Sequence, residues 1–126
     1  MNARAALKQY QTVNTRVQVD DASPHRLIQM LMEGALSRLL QARGATERGL
    51  IEQKGPLLSQ SIAIIGGLRE SLDLSTGGEL AENLAGLYDY MSTRLFQANI
   101  ANDVAMIDEV IGLLRNVKSG WDAIAP

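Results

Sequence analysis

The chain has 126 residues, no cysteine, one histidine and a formal net charge of −2 from 12 basic and 14 acidic side chains. That length suits one domain with an apolar core that needs no disulfide staple. The missing cysteines exclude thiolate nucleophiles and zinc–thiolate sites and fit a reducing compartment, and the near-balanced charge argues against nucleic-acid binding by bulk charge.

The N-terminus, MNARAALKQY, has no continuous apolar run and does not read as a secretory signal. No stretch approaches the roughly 18 apolar residues of a membrane span. Charge is uneven along the chain. Residues 1–50 hold seven basic against four acidic side chains (+3), and residues 51–126 hold five against ten (−5). That asymmetry fits solvated helix faces of differing sign, or a device that orients a charged partner.

Helical periodicity dominates, and alternating strand-like runs are nearly absent. A short N-terminal piece places Ala3, Ala6, Leu7, Tyr10 and Val13 on one face before QVDDAS breaks the pattern. The first long helix is predicted from Ser23 to about Arg48, with Ser23 as N-cap and Pro24 at the first helical position. GLIEQKGP reads as a connector, and Pro56 opens a second helix over about 56–73. Gly77-Gly78 ends that helix and lets the chain reverse. A third helix covers about 79–100. Asn102 or Asp103 caps a fourth, which runs to about Trp121. Four amphipathic helices on short connectors predict an all-α fold, an antiparallel four-helix up-down bundle over 23–122, preceded by a short helical or extended N-terminal segment over 1–20.

Wheel positions at 3.6 residues per turn measure each apolar face. In the third helix, Leu80, Leu84, Leu87, Tyr88, Met91, Leu95 and Ala98 fall within roughly 100°, the width a bundle helix needs. The second helix spreads over about 160°, the fourth over about 180° and the first over about 220°. Tyr90, Phe96 and Ile100 lie outside the third helix's stripe. This surplus predicts a further cover: the N-terminal segment, a twin subunit, or an amphipathic client segment in a groove. Rim positions of a bulky core are the bland alternative. The margins of the broad arcs nominate Met32, Leu36, Leu40, Ile64, Leu68, Met106, Ile107, Val110 and Leu113 as groove residues. Five methionines suit an adaptable surface, and equally an ordinary core.

No constellation for chemistry emerges. His25 sits in the first turn of its helix, with Ala22 and Gln29 where a paired metal ligand would stand, and a di-iron bundle needs two Glu-x-x-His motifs. Asp20 and Asp21 precede the helix and favour its positive end. The carboxylate pairs Glu79/Glu82 and Asp108/Glu109 lie on polar faces. Gly66-Gly67 stands inside a helical pattern without a P-loop lysine. Trp121 continues an apolar stripe and reads as core. The expectation is therefore a protein without catalysis, cofactor, metal or nucleic-acid partner.

Several blocks, SPHRLIQMLMEGAL, GGELAENLAGLYDYM, RLFQANIANDVAMIDEVIGLL and the late tryptophan, resemble the bacterial flagellin export chaperones of the FliS family. The likeness runs from about Ala6 to Ile124, and the order and spacing of its blocks are specific. Met32 departs from it, standing where the family usually has an aromatic. The resemblance implies a cytoplasmic helical bundle that binds the disordered C-terminal segment of flagellin, blocks premature polymerisation and presents the client to a flagellar export gate component. It further implies that the N-terminal stretch, with a tyrosine that matches Tyr10, lies over the apolar surface as a lid; Leu7 is chosen beside Tyr10 as the second lid contact. Asn83, Tyr88, Asp89, Tyr90, Asn99 and Asp103 match polar or aromatic positions of the family blocks, where capping and packing are their simpler roles. A homodimer that buries the surplus surface without any client is the competing expectation.

Overall fold

The computed structural model describes residues 21–124. These form four helices: α1 Pro24–Glu47, α2 Ile51–Glu70, α3 Gly78–Ala101 and α4 Val104–Ala123. No strand occurs among the described residues. α1 packs against α2 and α4, and α3 packs against the same two. The result is a closed ring of sequential antiparallel neighbours, the up-down bundle that the short connectors predict.

Each helix starts and stops for a local reason. Ser23 is extended, and its hydroxyl accepts the Arg26 N–H at 3.1 Å, with Pro24 in the first turn. Beyond the end of α1 at Glu47 and its cap Arg48, Gly49 takes a left-handed φ of 70°. The Leu50 N–H reaches the Ala45 carbonyl at 2.8 Å and the Gly49 N–H reaches Thr46 at 3.2 Å. This pair of bonds closes α1 in a Schellman turn. At the other tight turn, Asn102 takes φ 53° and ends α3, and Asp103 accepts the Ala105 and Met106 N–H groups at the start of α4. The two residues offered by the sequence for one cap thus serve two helices.

Two boundaries differ from expectation. α2 begins at Ile51, so most of the expected connector is helical and Pro56 lies in the second turn. A proline there removes one early backbone bond. The added turn is held from outside by Lys54, which is only 4% exposed. Its ammonium donates to the Asn99 carbonyl at 2.8 Å and to the Asn102 side chain. Gly77-Gly78 also lies elsewhere: α2 stops at Glu70, and the glycine pair opens α3 instead. Asp73 organises the intervening turn, accepting from the Ser75 and Thr76 N–H groups and the Ser75 hydroxyl. The close return of the chain requires Gly77, because a Cβ there would come within 2.6 Å of the Asp73 carbonyl oxygen.

Leu31, Leu39, Leu58, Ile65, Met91, Leu95 and Leu114 are among the fully buried side chains of the core. Each is worth about 1.5–3 kcal/mol relative to exposure. Every seam also carries at least one polar tie between neighbours: Arg38 to Gln60, Arg69 to Asp89, Arg94 to Glu109 and Arg43 to Asp108. Exposed pairs of this kind are screened by solvent and add little stability, so they specify register more than stability.

Candidate functional site

The first turns of α1 and α3 and the last turns of α2 and α4 meet at one end of the bundle. There the four apolar stripes run past the point where a facing helix covers them. Ile28 and Met32 from α1, Leu72 beyond α2, Leu80, Leu84 and Tyr88 from α3, and Val117, Trp121 and Ile124 from α4 line a cleft of about 360 Å³. Ser71, Asn116 and Gly120 complete its lining. Leu80 belongs to the inward stripe of α3 yet is 69% exposed, because it stands in the first turn at the mouth of the cleft. Burial pushes the Tyr88 phenol up to about 12, so this polar handle stays neutral at physiological pH.

One wall of the cleft is fixed by an interaction between the chain's far ends. The rings of His25 and Trp121 stack with centroids 4.9 Å apart and planes 12° from parallel. The His25 Nε2–H donates to the Trp121 carbonyl at 2.9 Å, and the Trp121 indole N–H donates to the His25 carbonyl at 3.0 Å. Next to them, Asp122 accepts from Gln29 at 2.8 Å and Lys118 at 2.6 Å, which holds its carboxyl below the usual range, mainly through Lys118.

A second apolar area lies on the outer face of α3. Phe96 is 61% and Ile100 72% exposed, and their spacing of four puts them side by side. Tyr90 is exposed too, but its hydroxyl donates to Glu109 at 2.8 Å. All three lie outside the inward stripe, as the sequence indicates.

The structure separates the groove residues nominated by the sequence. Met32 lines the cleft from below and is itself buried. Ile64, Leu68, Ile107 and Val110 are core residues enclosed by the other helices. The physical reason is the ring: each helix is flanked by two neighbours and can bury a far wider arc than one stripe. On α1, buried residues from Met30 through Leu31 and Ala35 to Met32 span roughly 200°. Leu36, Met106 and Leu113 are half-buried against the core, and Leu40 is 46% exposed. Leu36 and the two α4 residues border different seams. Leu36 lies one heptad from Gln29 and from Arg43, both bonded to α4. Met106 and Leu113 flank Glu109, which is bonded to α3. Leu7 and Tyr10 lie outside the described residues.

Wheel reasoning overlooks most of the cleft, including Ile28, Leu72, Leu80, Leu84, Val117 and Ile124. A wheel measures width around an axis and says nothing about length along it. The available signal is that Leu72, Leu80, Trp121 and Ile124 all cluster at helix ends that an up-down order brings together.

As chemistry, this is a mostly apolar cleft with few polar groups in its lining. Among the described residues, no three His, Asp or Glu side chains gather as a metal-ligand set. No helix among them is long and apolar enough to cross a membrane.

Comparison with known proteins gives one result throughout. The model of the family described as flagellar protein FliS matches residues 6–126. The flagellar secretion chaperone FliSB of Pseudomonas aeruginosa is 59% identical over 125 residues, covering 99% of each chain. The flagellar secretion chaperone FliS of Salmonella typhimurium is 47% identical over 127 residues, covering 100% of this chain and 94% of that protein. Its Vibrio cholerae namesake is 44% identical over 123 residues, covering 98% and 90%. With matches that run through all four helices and both walls of the cleft, the chain belongs to the FliS family of flagellar proteins.

Proposed function

We propose that this protein is a cytoplasmic export chaperone that holds the disordered C-terminal segment of flagellin. It masks the segment's apolar face, prevents premature polymerisation and presents the client to a component of the flagellar export gate. The observation that carries the reading is the full-length similarity to proteins named flagellar secretion chaperones. The cleft and the Phe96–Ile100 strip supply the surface chemistry such a client requires.

The mechanism needs no reaction. A disordered segment pays ordering entropy when it binds, so useful affinity needs a long wrapped contact in place of one deep pocket. Two separated apolar areas on the bundle suit a client that wraps around it. Residues 1–20 are the lid, with Leu7 and Tyr10 as its anchors. The lid joins the bundle just before Ser23, and α1 contributes Ile28 to the cleft only a turn or so further on. Its effective concentration is therefore high, and it must bind weakly for the client to displace it.

Titration with a peptide of the flagellin C-terminal segment tests this reading. The expected result is new helical circular dichroism and a negative heat-capacity change in calorimetry. A pure protein that sediments as a stable dimer and gives no heat with the peptide would establish a homo-oligomeric scaffold instead.

A further inference from the structure

We propose that His25 is a positioning residue for client binding: it fixes Trp121 as a wall of the cleft. The inference rests on the chaperone reading above and deepens it. Trp121 stands half-buried in the last turn of α4, where packing alone restricts a rotamer less than in the core. Here two bonds and a stacked ring restrict it further. The carbonyl that His25 engages is one of the C-terminal carbonyls a helix cannot satisfy internally, and the Ile124 N–H at 3.1 Å is its other donor. The indole N–H would otherwise seek water through the cleft mouth. Its bond to the His25 carbonyl turns the polar edge toward α1 and leaves apolar ring surface for the cleft, which Trp121 lines beside Val117 and Ile124. Rigid aromatic surface of this kind gives contact area at low ordering cost, and such residues dominate binding hot spots. His25 thus preorganises the surface that a client side chain meets.

A merely structural clamp would alter stability alone, so the experiment separates the two roles. The full chain, His25→Ala, His25→Gln and Arg43→Ala are each titrated with the flagellin C-terminal peptide. Acrylamide quenching of the lone tryptophan and thermal unfolding are followed in parallel. Arg43 ties the same α1–α4 seam through Asp108 and does not line the cleft, so it reports generic loosening. The expected result for His25→Ala is stronger quenching and a peptide Kd raised about tenfold. His25→Gln, which keeps a donor, recovers part of that loss, and Arg43→Ala leaves Kd unchanged. If His25→Ala lowers Tm while Kd stays within about twofold, or if Arg43→Ala weakens binding as much, His25 is a structural clamp and the inference is overturned. If the unaltered chain binds no peptide at all, the chaperone reading itself falls and takes the inference with it.

Discussion

Lys54, near the start of α2, donates to the carbonyl of Asn99 in the last turn of α3 and to the side chain of Asn102, the left-handed residue that ends it. One buried cation thereby caps a neighbouring helix at its negative end. Lys54→Met keeps the aliphatic stem and removes the charge. It leaves the Asn99 carbonyl without that donor and is expected to cost about 1–3 kcal/mol in denaturant unfolding. An unchanged midpoint would mean that water replaces the ammonium.

Core and cleft make opposite predictions. Ile107→Ala empties a fully buried position and should cost about 2–5 kcal/mol of stability. Leu80→Ala changes stability by about 0.5 kcal/mol or less, because Leu80 is mostly exposed, yet it should weaken binding of the flagellin peptide severalfold. Equal binding by Leu80→Ala and the unaltered chain would move the client elsewhere, with the Phe96–Ile100 strip the next surface to test.

Tyr10→Ala should release the lid while the bundle stays folded. Peptide affinity then holds or rises, since an intramolecular competitor has been weakened. Thermal unfolding is the check: a collapse of the whole domain would show that Tyr10 belongs to the core.

Alkaline unfolding should report the wall of the cleft. The Tyr88 phenol sits at about 12 in the folded chain against an ordinary 10.0, because burial disfavours its anion. Its contribution to stability is whole below pH 10 and is lost as pH rises toward 12, where the unfolded chain releases the proton first. Tyr88→Phe should flatten this decline in stability measurements between those values. Tyr90, raised by its bond to Glu109, leaves a residual slope.

The acid limb has the opposite sign. Hydrogen bonds from Ser75 and Thr76 hold Asp73 at about 2, below its ordinary 3.8. That contribution is present above pH 3.8 and fades as pH falls through about 2. Asp73→Asn keeps an acceptor for the turn and should make stability less sensitive to acid over that interval.

Helix ends are legible in the sequence wherever a cap acts locally. Ser23-Pro24 and Asp103 announce their helices because each satisfies backbone groups within its own first turn. The start of α2 is not legible, because Lys54 finds its partners about 45 residues away in sequence. The Gly77-Gly78 pair misleads for a related reason. Glycine marks a sharp reversal whichever helix it borders, and the Asp73 turn had already ended α2. For the site, the surplus of apolar surface is legible and its address is not. Ile64, Leu68, Ile107 and Val110 disappear into the ring, while Leu80 and Trp121, which look like core on a wheel, stand at an end where the ring runs out.

The two ends of the ring are fastened unequally. At one, Gly49 and Asn102 make abrupt turns, and Lys54 bolts α2 to α3 across them. At the other, a single longer turn spans residues 71–77, and α1 meets α4 through stacked rings and a few exposed bonds. The cleft therefore opens at the end with the longer crossing, far from the buried charge that joins α2 to α3.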